Sequence, residues 1–197
     1  EEYSVFNESM SRIGMLLSEG EVRFDTLLLH NQSTAWALYD NSEECKAEIK
    51  KYSDALLSDY RTLQQKHVLF HFGDEIILER HGKIDGNALV IGTQRYTRIV
   101  IPPHKLLLPN TEKLLEQFTA AGGIVTTADK VEDAGVCSSP MITYTKRGFD
   151  GFNILYFINN NNEAVTASFD RGSKMLDIST GDVLPFYGTY KFDPYGS

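Results

Sequence analysis

Apolar residues along the first half of the chain recur at two distinct periods, and the alternation between them outlines a layered fold. Phe6, Met10, Ile13 and Leu17 follow one another three or four residues apart and Gly20 comes after them, which predicts an amphipathic helix over residues 4–19 with a glycine stop. Phe24 to Leu29 is a short apolar run leading into polar His30, Asn31, Gln32 and Ser33, the pattern of a buried strand that delivers its loop at the carboxyl end. From Ser42 to Gln65 the positions Cys45, Ile49, Tyr52, Leu56, Tyr60 and Leu63 repeat at helical spacing behind Ser42, Glu43 and Glu44, residues suited to a helix start.

The alternation then continues. A second strand is predicted at His67–Phe72, a short helix from the Gly73-Asp74-Glu75 turn to Leu78, and a small hairpin over Lys83–Gln94. A third strand, Tyr96–Ile101, runs into Pro102 and Pro103, which have no N–H to give to a ladder. A helix begins at Pro109 and Asn110 with Leu114, Leu115, Phe118 and Ala121 inward; Gly122-Gly123 closes it, and the strand Ile124–Thr127 follows. Strands alternating with helices predict an α/β fold, a flavodoxin-like or Rossmann-like three-layer sandwich around a parallel sheet.

Beyond Val136 the helical spacing ends. Met141–Lys146, Phe152–Ile158, Ala164–Phe169, Met175–Ile178 and Val183–Phe186 read as short strands separated by turns, a small antiparallel β domain. The expected domains are therefore 1–136 and 137–197. A β domain of that size is marginal alone, so it is expected to pack on a partner surface.

Composition narrows the function classes. The balance of 42% hydrophobic and 23% charged residues is that of a globular protein, and the net charge of −8 disfavours nucleic acid as a partner. No apolar run is long enough to span a bilayer and no signal peptide is visible; a soluble protein, leaning cytoplasmic, is expected, and the chain reads as a piece of a longer one. Cys45 and Cys137 lack metal-ligand spacing and read as free buried thiols.

Candidate chemistry gathers at the carboxyl ends of the expected strands, where open α/β sheets bind ligands: His30, Asn31, Asp74, Glu75 and His104. Adjacent Asp74 and Glu75 are suited to capping a helix rather than to opposing each other across a bond to be hydrolysed. Trp36, the only tryptophan, lies six residues past His30; with Tyr39 it is a candidate sugar platform, an anchor for its loop, or an interdomain contact. His30, His71 and His104 have no pairing on one helix face that favours a metal. The glycines Gly82, Gly86 and Gly92 surround a hairpin and make no dinucleotide fingerprint, so no cofactor is expected. The aromatic residues of the tail, Phe152, Tyr156, Phe157, Phe169, Phe186 and Tyr187, are expected to form its core, with a carbohydrate-binding face as the alternative.

The run YSVFNESMSRIGMLLSEGEVRFDTLLLHNQSTAW, residues 3–36, resembles the opening of the class I glutamine amidotransferase-like domain that follows the catalytic barrel in large bacterial glycoside hydrolases. Those are the α-L-rhamnosidase-type enzymes and, more distantly, the β-galactosidases whose corresponding domain supports trimer formation. HFGDEIILERHGKIDGNALVIGTQRYTRIVIP, residues 71–102, resembles that family's aspartate-glutamate turn, hairpin and next strand, and EKLLEQFTAAGGIV, residues 112–125, its next helix and strand. GFNILYFINNNNEAVTASF and LDISTGDVLPF resemble the start of the β-sandwich behind it. The resemblance implies an accessory module of carbohydrate metabolism, with the catalytic barrel of the same parent chain as partner, Asp74 or Glu75 as a contributor to that barrel's pocket, and a carbohydrate or a homo-oligomer contact as further possibilities.

An active amidotransferase carries a cysteine on a glycine-flanked elbow after a strand, with a histidine and a glutamate as partners. Here Ile101-Pro102-Pro103-His104 stands at that strand's end, so the likeness implies a degenerate domain with no catalytic residue. A carbohydrate-binding module and an amidohydrolase using Cys137 are the alternatives.

Overall fold

The computed structural model describes residues 2–170 and 174–197; residues 1 and 171–173, which fall inside the two expected domains, lie outside the described residues. The chain divides into two compact units, Phe24–Asp133 and a discontinuous one in which the residues up to Arg23 join Ala134–Ser197. The first helix thus groups with the C-terminal strands, whereas the sequence pattern had placed it with the α/β domain.

The Phe24–Asp133 unit is the α/β layer. Its elements are β1 (Thr26–His30), α2 (Gln32–Leu38), α3 (Glu43–Gln65), β2 (Phe70–Asp74), α4 (Glu75–His81), β3 (Lys83–Asp85), β4 (Ala88–Ile91), β5 (Gln94–Tyr96), β6 (Arg98–Val100), α5 (Pro109–Ala120) and β7 (Ile124–Thr126). Four strands form a parallel sheet in the order β2-β1-β6-β7. Central β1 is apolar at successive positions because both its faces are covered. Leu27 and Leu29 pack with Leu78, Ile99, Leu115 and Phe118 on one face, and Leu28 packs with Leu63, Val68 and Val100 on the other. Helices α4 and α5 therefore cover one side and α3 the opposite side, a three-layer sandwich.

Several boundaries differ from expectation for local reasons. The segment at Lys83–Tyr96 forms a three-stranded antiparallel meander, β3-β4-β5, rather than a hairpin, and Tyr96 belongs to it instead of to β6. The second strand begins at Phe70, because His67 turns the chain out of α3 in a left-handed conformation at φ 53°. Lys66 at that corner donates from Nζ to the carbonyls of Ala128, Asp129 and Val131, tying the end of α3 to the segment after β7.

The second unit contains α1 (Glu2–Ser18) and the antiparallel pairs β8 (Ile142–Phe149) with β9 (Phe152–Asn159), β10 (Val165–Ser168) with β13 (Thr189–Phe192), and β11 (Lys174–Leu176) with β12 (Val183–Pro185). β13 had no counterpart in the sequence pattern. Cys137, Ile142, Ala167, Phe169 and Phe192 make its buried cluster, with Phe157 and Phe186 packed against them. Phe152 and Tyr187, expected in that core, are exposed. Glu21 and Gly148 exchange two backbone hydrogen bonds of 2.8 and 2.9 Å, and Arg12 donates to the carbonyls of Ile178 and Ser179 at 3.0 and 2.7 Å. Those contacts are why α1 groups with the strands. Gly20, at φ 73°, completes the turn; a Cβ there would lie 2.9 Å from the Gly148 carbonyl and the Phe149 ring. Among the described residues no helix is long and apolar enough to cross a membrane, and both cysteines are buried thiols.

Candidate functional site

In the sheet the strand order reverses between β1 and β6, and the loops leaving the carboxyl ends of these two strands are where an open α/β sheet forms its ligand crevice. Here the two loops are laced together. The Asn31 side-chain amide donates to the Pro103 carbonyl at 3.0 Å. The Thr34 hydroxyl donates to the Leu106 carbonyl at 2.8 Å and accepts from the amides of Lys105 and Leu106 at 3.1 and 3.3 Å. Pro102 and Pro103 end β6 and offer no donors, so the segment that follows takes its order from the side chains of α2.

Glu75 lies at the centre of this closure, 1% exposed. Its carboxylate accepts from the Ser33 amide at 3.0 Å, the Ser33 hydroxyl at 2.6 Å and the Leu108 amide at 2.9 Å. Ser33 stands in the first turn of α2, Leu108 is the N-cap of α5, and Glu75 itself opens α4. One carboxylate thus satisfies unpaired N–H groups at the starts of two further helices, where the helix dipoles favour negative charge. The anion-favouring position at the strand ends is filled by the chain's own side chain.

Asp74 has a separate task. It caps α4, accepting from the amides of Ile76 and Ile77 at 2.9 and 3.0 Å, and its other oxygen takes the Gln32 side-chain amide. Capping is what the residue pattern implied for this pair; Asp74 does cap α4, whereas Glu75 serves the starts of two other helices. Sequence reasoning missed the sealing role of Gln32 and Ser33, which it read as loop, and that of Thr34 beside them. The signal available was a polar Asn-Gln-Ser-Thr run directly behind a buried strand, a helix-start composition.

The remaining candidates are scattered. His30 and His104 are exposed, and His104 donates from Nδ1 to the Pro102 carbonyl at 3.0 Å. Trp36 and Tyr39 are exposed as well, while Ser33 and Thr34 beside them are buried. Beside the loop a shallow open groove is lined by Glu44, Ala47, Glu48, Lys51 and Tyr52 of α3 and by Pro103. Among the described residues no three His, Cys, Asp or Glu side chains gather as a metal site. Cys137 packs in the apolar cluster of the other unit, its thiol donating to the Ser139 carbonyl at 3.3 Å.

His71 is built into packing rather than into this closure. Its Nδ1 lies 2.9 Å from the Tyr96 hydroxyl, and its ring contacts those of Phe24 and Tyr96. Burial lowers the His71 pKa and raises that of Tyr96, so the environment favours the neutral form of each ring. The folded chain then binds fewer protons than the unfolded chain below the ordinary histidine pKa of 6.5. Stability contributed by neutral His71 is complete above that value and is lost as pH falls through the lowered folded pKa. In urea unfolding between pH 7.5 and pH 5, about, His71→Gln is expected to flatten this slope; an unchanged slope contradicts the assignment.

No family model matches the chain, and no curated protein matches its sequence. Among solved structures it matches a rhamnosidase from Novosphingobium sp. PP1Y with a TM-score of 0.62 and 14% identity, covering 97% of this chain and 23% of that one. It also matches Gan42B, a GH42 β-galactosidase from G. stearothermophilus, with a TM-score of 0.58 and 12% identity, covering 89% of this chain and 40% of the other. The chain spans less than half the length of either enzyme, and what it shares with a stretch of each is its fold.

Proposed function

We propose that the chain is a non-catalytic accessory module of a glycoside hydrolase, in which it buttresses the catalytic part or completes a wall of its cleft. The observation that carries this reading is Glu75: the most suggestive carboxylate at the strand ends is buried and engaged by three donors of its own chain. A general acid or nucleophile has to reach a substrate atom, and this one does not. The fold likeness to stretches of a rhamnosidase and a β-galactosidase supports the class of parent enzyme. The degenerate amidotransferase-like origin rests on the parallel order β2-β1-β6-β7 and on Pro102-Pro103 at the end of β6, where a nucleophile elbow would stand.

The isolated chain is expected to release no nitrophenol from p-nitrophenyl α-L-rhamnoside or p-nitrophenyl β-D-galactoside above the rate of buffer. Turnover that disappears in Asp74→Asn overturns the reading. The exposure of Trp36 and Tyr39 favours a second reading, a sugar-binding face without chemistry. Titration of Trp36 emission with rhamnose and galactose separates the two, since saturable quenching supports binding and a flat response supports the architectural role.

A further inference from the structure

Aspartate stands directly before glycine twice in the chain, at Asp85-Gly86 and at Asp150-Gly151, and both steps lie where antiparallel strands turn. Such a step has its own chemistry, because glycine has no Cβ to shield its amide nitrogen from the carboxyl group of the residue before it. The structure treats the two steps differently.

Asp85 is held on two sides. It ends β3 in register with Ala88, its carboxylate accepts from Nη1 of Arg95 at 2.5 Å, and its carbonyl accepts from Nη2 at 3.1 Å. The guanidinium therefore fixes the carboxylate and the peptide unit that leads into Gly86 as one body. Asp150 and Gly151 form the turn between β8 and β9, closed by the pair Phe149 and Phe152, whose rings stack at 5.0 Å. Both turn residues are exposed, and neither the Asp150 side chain nor the Gly151 amide has a hydrogen-bond partner among the described residues. Gly151 stands at φ 80°, and a Cβ built there would meet nothing within 4 Å, so the step is open on its solvent side.

We infer that Asp150-Gly151 is a site of spontaneous covalent modification, at which aspartate converts to isoaspartate, and that Asp85-Gly86 is protected from the same reaction. The Gly151 nitrogen attacks Cγ of the protonated Asp150 carboxyl group. A C–N bond forms, the carboxyl hydroxyl and the amide proton leave together as water, and a succinimide ring results. One water then adds back. Opening at the side-chain carbonyl restores aspartate, whereas opening at the main-chain carbonyl leaves the chain running through Cγ, with a free α-carboxylate. The water lost in the first step is regained in the second, and no oxidant or reductant takes part. Cyclisation requires the carboxyl group to rotate onto the next amide nitrogen, which at Asp85 breaks both contacts with Arg95. The product at Asp150 carries an extra main-chain atom between Phe149 and Phe152, so the turn no longer closes that pair as tightly.

The test does not depend on the proposed accessory role. The chain is held for weeks at body temperature and mildly acidic pH, then digested, and the peptides carrying Asp150 and Asp85 are separated and scored by isoaspartate-specific carboxyl methylation. Isoaspartate is expected at Asp150 at a level at least about tenfold above that at Asp85, since breaking the Arg95 contacts adds to the barrier there. Asp150→Glu, whose longer side chain has to close a larger ring, removes the signal at its position while keeping the charge. Arg95→Gln releases the Asp85 carboxylate and raises isoaspartate there at least about threefold. Equal accumulation at the two steps of the native chain, none at Asp150, or no rise at Asp85 in Arg95→Gln overturns the inference.

Discussion

Glu75→Ala is expected to destabilise the Phe24–Asp133 unit by about 3–5 kcal/mol, because it removes the acceptor of buried donors from two neighbouring helices. The Ser33 and Leu108 amides lie 3.0 and 2.9 Å from its oxygens, and with the carboxylate gone neither has another acceptor supplied by the closure. Each orphaned donor costs about 1–3 kcal/mol, and the space left by the side chain adds to that. Asp74→Ala, by contrast, loses a helix cap near the surface and is expected to cost about 1 kcal/mol. Glu75→Gln keeps the shape but turns an NH₂ toward one of the donors, so it falls between the two. Urea unfolding followed by the emission of Trp36, the only tryptophan and three residues beyond Ser33, reads the difference directly. A loss below about 1 kcal/mol for Glu75→Ala removes the physical basis for calling the strand ends sealed.

Gly123→Ala is the second large effect. An added Cβ would lie 2.2 Å from the Phe118 ring, which is fully buried among Leu27, Leu29, Ile99 and Leu115. The ring has no room to turn away, so the strain passes to the backbone entering β7, where the Ile124 amide donates to Thr97 at 3.0 Å. Overpacking of this kind costs about 3 kcal/mol. Phe118→Leu alone costs about 1–1.5 kcal/mol, but it also removes the atoms that the new methyl strikes. The double variant Phe118→Leu/Gly123→Ala is therefore expected to lose about 1–2 kcal/mol less than the sum of the single variants. Additivity in the same unfolding assay shows that the clash is relieved elsewhere.

The two effects bear on function together. Glu75 holds α2 and the segment before α5 at the carboxyl end of the sheet, and Phe118 holds α5 against β1 and β6 beneath them. What the unit presents outward is then a surface of fixed shape carrying Trp36, Tyr39, His30 and His104.

How far the sequence led depended on whether a signal was local. Period and punctuation carried the alternation of strands and helices, the parallel sheet, the proline stop after β6 and the cap at Asp74, since each depends on neighbours within a few residues. The seven-residue helix α2 escaped because two turns are too few to establish a period, and β13 because its four residues alternate too briefly. The grouping of α1 with the C-terminal strands rests on the Glu21–Gly148 pair and on Arg12, contacts between residues far apart in the chain. Periodicity recognised the apolar stripe of α1, yet only the structure showed that Phe6 and Met10 in it stay exposed. Glu75 makes the same point at the candidate site: its type and position were legible, but its burial and its three donors come from separate segments. Local propensity is written in adjacent residues, whereas the environment of a side chain is decided by which distant segments the packed core brings beside it.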